Sequence, residues 1–376
     1  MHSFLTFKSG KFYFSDDWNR ETVNHLLVQA ELLNETVADL PILPRLADQL
    51  NPDIMYSSIS GTAMIEGNPI TGEDVRKIAQ GEDIESYTQK DKQEIKNLIE
   101  AYMVAATLDP PKEGMHVQLT EELIRELHKI ITMEIPHEQN VPGQYRNGLV
   151  YVGDKAHGGV YTPPKVLDDV KNLMREYLGW INSPEIVSLS PFIRAALAHY
   201  YFCLIHPFWD GNGRTARLIE AILLQTAGIK YVPREISNYY YRNVDDYYIA
   251  FSRTIKLKKD VTPFLTFMLK ASVESLQEIK KTIIYFIRVF SLKDYYASQQ
   301  SKKHITKRQL DLLNLLLDYP TQVTFTLKNI LSDNPFAILY RNVSVQTARR
   351  DLKNLTAKDY LTFKEGKFSL NMKVLG

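Results

Sequence analysis

Apolar residues recur at spacings of three and four over 86–108, 120–133, 164–180, 191–205 and 214–227, the period that lays one apolar stripe along a helix. Thr120, with Glu122 close behind it, supplies a helix cap. Helical spacing resumes over 244–255 and 261–292. Between Gly143 and Pro163 the period breaks. Tyr145, Leu149 and Tyr151 precede Gly153-Asp154 and Gly158-Gly159, then Val160-Tyr161, which predicts a small β-hairpin flap inside a helical domain. The chain turns polar over 296–303, which predicts a linker. Beyond it 306–318, 327–331 and 344–358 read as helices, and 360–363 and 368–370 as two strands around the turn Lys364-Glu365-Gly366-Lys367.

The fold class is therefore mainly α. At 376 residues two or three packed units are expected. These are an N-terminal helical region over 1–110 with a short helix at about 57–67, a helical core over 111–292, a linker over 293–303 and a C-terminal unit over 304–376. The last unit, three helices followed by a two-stranded wing, resembles a winged helix-turn-helix domain. Its helix 344–358 carries Gln346, Arg349, Arg350 and Lys353 and would be the recognition helix, for DNA or for a protein partner.

A net charge of +1 excludes a global attraction to nucleic acid or anionic lipid, so any charge-driven partner must be met locally. After Ser301 basic residues outnumber acidic ones about two to one. The single cysteine, Cys203, excludes an intramolecular disulfide, argues against a cysteine metal cage and fits a cytoplasmic setting. Residues 1–17 mix charges with aromatics and lack a signal-peptide pattern. The apolar stretch 282–292 is interrupted by Arg288 and falls short of the roughly 20 residues that span a bilayer, so no membrane segment is expected.

The segment His206-Pro207-Phe208-Trp209-Asp210-Gly211-Asn212-Gly213-Arg214-Thr215-Ala216-Arg217 carries the chemistry. Gly211-Asn212-Gly213 lies between two helices, where glycines let successive N–H groups converge on phosphate oxygens at a helix N-terminus. Arg214 and Arg217 share a face of that helix at its positive end, an unfavourable place for cations unless an anion is bound. Asp210 is an oxygen ligand suited to Mg²⁺. His206 is a workable general base near neutral pH.

Residue for residue, His-Pro-Phe-x-Asp-Gly-Asn-Gly-Arg-x-x-Arg resembles the signature of the Fic family, named for filamentation induced by cyclic AMP, over roughly 111–270. The resemblance implies AMP transfer from Mg²⁺-ATP to a Ser, Thr or Tyr hydroxyl of a protein, this chain included. His206 would be the base, Asp210 the metal ligand, and Gly211, Asn212, Gly213, Arg214, Thr215, Ala216 and Arg217 the phosphate cradle. Asn243, Tyr247 and Tyr248 stand where family members contact adenine, although core packing explains the tyrosines equally well. Upstream, Thr62-Ala63-Met64-Ile65-Glu66-Gly67-Asn68 is similar to the family's N-terminal inhibitory motif, with Glu66 as the residue that occupies the γ-phosphate place beside Arg217. The flap would align a target segment by strand-like pairing. A DNA-binding regulator with a nucleotide-sensing core, a different donor, removal of AMP and a homodimer all stay open from sequence.

Overall fold

The computed structural model describes residues 2–42, 44–108, 116–319 and 324–375, and within them all side chains except those of 44–51 and 234. The boundary expected at 110/111 lies outside the described residues. In chain order the elements are β1 (His2–Leu5), β2 (Lys11–Phe14), α1 (Arg20–Ala38), α2 (Pro44–Ile65), α3 (Gly72–Ala79), α4 (Gln89–Ala106), α5 (Glu121–Thr132), α6 (Leu167–Ile181), α7 (Pro184–Val187), α8 (Pro191–Ile205), α9 (Asn212–Thr226), α10 (Val232–Arg242), α11 (Val244–Leu257) and α12 (Thr262–Ser301). They continue with α13 (Lys307–Asp318), β3 (Thr324–Phe325), α14 (Leu327–Ser332), α15 (Phe336–Tyr340), α16 (Val345–Ala357), β4 (Leu361–Lys364) and β5 (Lys367–Leu370). The chain is mainly helical and divides into two compact units, 1–280 and 281–376.

Three sequence expectations change. The N-terminal region opens with an antiparallel hairpin, β1 on β2, in which Phe12 and Phe14 turn inward while Lys11 faces solvent. The expected flap hairpin shrinks to one bridge, Val152 with Tyr161, closed by backbone bonds of 2.9 and 2.8 Å. The glycines at 143, 148, 153, 158 and 159 favour loop over ladder, since strand glycines bring no side chain to pack. The linker expected over 293–303 is helical through Ser301. Leu292 and Tyr296 are fully buried in the core of the second unit, and an outward row of glutamine, serine and lysine is compatible with helix.

In the first unit, Ile59 and Ala63 of α2 join Ile95 and Leu98 of α4, Leu127 and Ile131 of α5, and Leu218 and Ile222 of α9 in one core. The short helix expected at about 57–67 is the last part of the 22-residue α2. Its closeness to α10 depends on Gly61, where a Cβ would stand 2.6 Å from Asn238 Oδ1 and 2.9 Å from the Asn238 backbone nitrogen. α2 then stops in a Schellman turn. Asn68 N–H donates to Ala63 O at 3.1 Å and Gly67 N–H to Met64 O at 3.0 Å, with Gly67 at φ 88°. That turn leaves Glu66 at the helix end, facing the start of α9.

Candidate active site

α8 is buried along nearly its whole length, which fixes where the chain leaves it. His206 N–H donates to Phe202 O at 2.9 Å, and His206 takes the left-handed conformation, φ 52° and ψ 60°. For a residue with a Cβ this costs on the order of 1–2 kcal/mol, and the surroundings must hold it. Arg146 does so. Its Nε donates to His206 O at 2.6 Å, its Nη2 to Ile205 O at 3.2 Å and its Nη1 to Gly148 O at 2.6 Å, while its backbone N–H donates to Pro207 O at 2.9 Å. Burial lowers the Arg146 guanidinium to about 10, so it stays charged at neutral pH.

Two further side chains set the loop. Asn212 Oδ1 accepts from Phe208 N–H and its Nδ2 donates to Phe208 O, both at 2.9 Å, which closes the turn on itself. His128 lies parallel to the Phe208 ring with centroids 3.5 Å apart. Its Nδ1 accepts from Gly143 N–H at 2.9 Å, so its Nε2 carries the proton donated to Asp210 O at 2.9 Å. Burial lowers its pKa to about 4 and keeps it neutral, as this bonding requires.

His206 is also neutral, because burial lowers it to about 4. Its Nδ1 donates to Cys203 O at 3.3 Å, which leaves the Nε2 lone pair unused by that bond. Burial raises the Asp210 carboxyl, but Arg214 and the Gly211 N–H outweigh that and hold it below the usual carboxylate value. Its Oδ1 accepts from Gly211 N–H at 2.6 Å and its Oδ2 from Arg214 Nη2 at 2.9 Å.

Gly211, at φ 75°, starts α9 without a side-chain cap. A Cβ on Gly213 would stand 2.5 Å from Glu66 Oε1, so that carboxylate lies directly on the first turn of α9. There it meets the positive end of the helix. It also accepts from Arg217 Nη2 at 2.6 Å, and Arg217 donates through Nε to Thr62 Oγ1 at 2.6 Å and through Nη2 to Thr62 O at 3.2 Å. Arg214 is gripped on a second side. Its Nη1 lies 3.8 Å from Glu94 Oε1, and Glu94 Oε2 accepts from Asn68 Nδ2 at 2.9 Å, so the residue two places after Glu66 is tied to the other arginine. The Arg214 Nε is buried and has no hydrogen-bond partner among the described residues.

A cavity of about 520 Å³ opens beside these groups, lined by Glu66, His206, Gly213, Arg217, Tyr247 and Tyr248 together with 151–154 and 157–161 of the flap. Of the remaining expected site residues, Asp210, Gly211, Asn212, Arg214, Thr215, Ala216 and Asn243 do not line it. Thr215 and Ala216 are buried at 0% exposure. Asn243 caps α10, its Nδ2 donating to Tyr239 O at 2.9 Å. Tyr247 is 3% exposed and core-like, its hydroxyl 2.8 Å from His199 Nε2, while Tyr248 stands edge-on to His157. Sequence reasoning missed Arg146, His128, Glu94 and His157. Each acts through at least one partner 15 or more residues away, and no local spacing marks them.

The helical core brings His206, Gly213 and Arg217 to one cavity, with Arg214 behind it, and the profile of the Fic/DOC family matches residues 118–224, the stretch that carries all four. The chain carries a Fic/DOC domain. It is 32% identical over 162 residues to the protein adenylyltransferase Fic of Drosophila erecta, covering 43% of this chain and 29% of that protein, and equally identical to that of Drosophila grimshawi, covering 43% and 30%. The chain thus spans under a third of the length of these curated relatives. Among solved structures, a Fic family protein from Desulfovibrio desulfuricans G20 superposes with a TM-score of 0.59 at 20% identity over 96% of this chain and 98% of that one. Fic-1 (aa134–508) from C. elegans superposes with a TM-score of 0.54 at 21% identity over 70% of this chain and 72% of that one. At these identities the structural likeness concerns the fold.

Proposed function

We propose that this protein is an adenylyltransferase that transfers AMP from ATP to a hydroxyl of a protein and is held in check by Glu66. The observation that carries the reading is the Glu66 carboxylate seated on Gly213 and Arg217 within the cavity that also exposes His206. An anion already occupies the cradle where a nucleotide's terminal phosphate would be bound. Similarity to proteins named adenylyltransferases supports the donor.

In the proposed reaction the target oxygen attacks the α-phosphorus. The new O–P bond forms as the bond from the α-phosphorus to its bridging oxygen breaks, pyrophosphate leaves, and the hydroxyl proton passes to His206 Nε2. A neutral imidazole with Nδ1 bonded to Cys203 O suits this role. Asp210 fits Mg²⁺, since each carboxylate oxygen accepts one hydrogen bond and keeps a lone pair, and the side chain is one-third exposed at 34%. An Mg²⁺ ion held by this one carboxylate would be completed by phosphate oxygens and water. Bound with the nucleotide, Mg²⁺ would neutralise phosphate charge. Tyr248 and the Tyr247 ring would border the base, and the exposed flap residues Leu149, Tyr151 and Val160 would receive an extended target segment.

No helix among the described residues is long and apolar enough to cross a membrane. The single cysteine, Cys203, which can form no intramolecular disulfide, supports a cytoplasmic setting. The test is incubation of the Glu66→Gly chain with Mg²⁺-ATP and a cell extract, followed by peptide mass mapping. AMP on serine, threonine or tyrosine supports the reading. Bound ATP with no covalent adduct on any protein overturns it.

A further inference from the structure

The near-zero charge of the chain conceals two opposite halves. Residues 281–376 hold 16 lysines and arginines against seven aspartates and glutamates, whereas residues 1–280 hold 29 against 37. A unit of 96 residues with a net charge of +9 attracts polyanions regardless of the rest of the chain.

Within that unit the charge is sorted by helix face. α16 buries Ala348, Asp351, Leu352 and Leu355 and exposes Gln346, Arg349, Arg350, Lys353 and Asn354, which recur at three and four residues along one side. The single acid of the helix, Asp351, is turned inward. Its Oδ2 accepts from Arg308 Nε at 2.7 Å and its Oδ1 from Gln309 Nε2 at 3.2 Å, which clamps α16 to α13 and removes its negative charge from the outer face. Arg349, Arg350 and Lys353 enter no ion pair among the described residues. The outer face is thus three cations and two amides with no acid.

The other elements frame this face. Ser344 caps α16 by accepting from Thr347 N–H at 3.2 Å. The three strands order as β3-β5-β4, all antiparallel, and the β4–β5 turn sets Lys364 opposite Lys367, both exposed. Helix α13, then α14 and α15, then the amphipathic α16 and a basic hairpin is the arrangement that presents one helix to a groove and one loop to the flanking backbone. The width of α16 with its side chains, about 10–12 Å, matches the roughly 12 Å major groove of B-DNA. Arginine forks read guanine edges and amides read adenine, the residue types that α16 exposes. A protein partner would have favoured an apolar centre; the exposed apolar side chain of α16, Val345, stands at its first turn, at the margin of the cations rather than among them.

We infer that residues 281–376 form a winged-helix module that binds duplex DNA, with α16 in the major groove and the Lys364–Lys367 turn on the phosphates. This stands apart from the nucleotide reading and does not need it. The experiment is fluorescence anisotropy of the full chain with a labelled 20-base-pair duplex across a salt series from about 50 to 250 mM. Five cations predict a log–log salt slope of about −4.5, at roughly 0.9 per phosphate contact. Replacing Arg349, Arg350 and Lys353 together by alanine should make the slope shallower by about 2.7 and weaken binding at 100 mM salt by more than tenfold. Lys364→Ala with Lys367→Ala should remove about 1.8 from the slope, and Lys171→Ala, in the other unit, should change nothing. All these side chains are exposed, so an unchanged thermal melt certifies the fold of each variant. No duplex binding at 50 mM salt would overturn the inference. So would an unchanged slope in the triple variant, or loss of self-association in that variant without any duplex binding by the parent.

Discussion

Replacing Glu66 by glycine removes the carboxylate from the α9 turn and leaves the backbone bonds of Glu66 and Gly67 to Ala63 and Met64 available. The substitution deletes a 2.6 Å charge-assisted bond to Arg217, whose side chain is 1% exposed while that of Glu66 is 34% exposed. Such bonds contribute about 1.5–3 kcal/mol, and solvent access to one partner favours the lower part of that range. A nucleotide that needs Arg217 must first break this bond, so its removal should raise the turnover of Mg²⁺-ATP roughly tenfold to 30-fold. Arg217 keeps Thr62 Oγ1 and Thr62 O as acceptors, so the variant should fold, with a lower melting temperature without nucleotide and a larger gain on adding Mg²⁺-ATP than the parent. Initial rates of pyrophosphate release, with melting curves with and without Mg²⁺-ATP, read both effects. Equal turnover in the two chains, with the variant folded, would refute the inhibitory role.

Glu94→Gln should loosen Arg214 and the Asn68 turn together, and raise turnover less than Glu66→Gly does, because its 3.8 Å contact is the weaker; a fall in turnover would show that Glu94 positions Arg214 for the reaction. Arg146→Lys loses the fork that holds His206 and Gly148, at about 3 kcal/mol or more, and should lower kcat more than it raises KM. His128 is fully buried and stays neutral to about pH 4, whereas in the unfolded chain it takes a proton near pH 6.5. Stability should therefore fall as pH drops from 6.5 toward 4, by about 1.4 kcal/mol per pH unit from this group, and denaturant midpoints of His128→Gln should show a smaller slope. His157 bonds Asp154 through Nδ1 and Asp245 of α11 through Nε2, and these carboxylates raise its pKa. The flap latch should hold below that raised pKa and weaken as pH rises through it, seen as faster hydrogen exchange at 151–161 after correction for intrinsic rates.

Helices α4, α5, α6, α8, α9, α11, α12, α13, α14 and α16 were legible because their apolar period is local, whereas α1, α3, α10 and α15 were not read individually. Pro191–Ile205 matches its expected range to the residue, since Pro191 opens it and His206 leaves the helical conformation. The approach of Glu66 to Arg217 rested on a motif; the contact itself spans 151 residues. What sequence did not show is what long-range bonds create. Arg146 reads as one more cation in a loop until its guanidinium meets three carbonyls around His206. Asn212 shows a second role that spacing alone does not reveal, its side chain closing the turn on Phe208 while its backbone N–H stays in the Gly211–Gly213 segment. The N-terminal hairpin did leave a signal, the alternation Lys11-Phe12-Tyr13-Phe14 after Gly10, but four residues are too few to outweigh the helical pattern of the rest.

The most direct measurement compares ATP labelled at the α-phosphate with ATP labelled at the γ-phosphate, each with Mg²⁺ and the Glu66→Gly chain in a cell extract. Protein-bound label from the α position alone, abolished by adding His206→Ala, is the predicted result. Label from the γ position, or α-label that persists without His206, would contradict nucleotidyl transfer at this site.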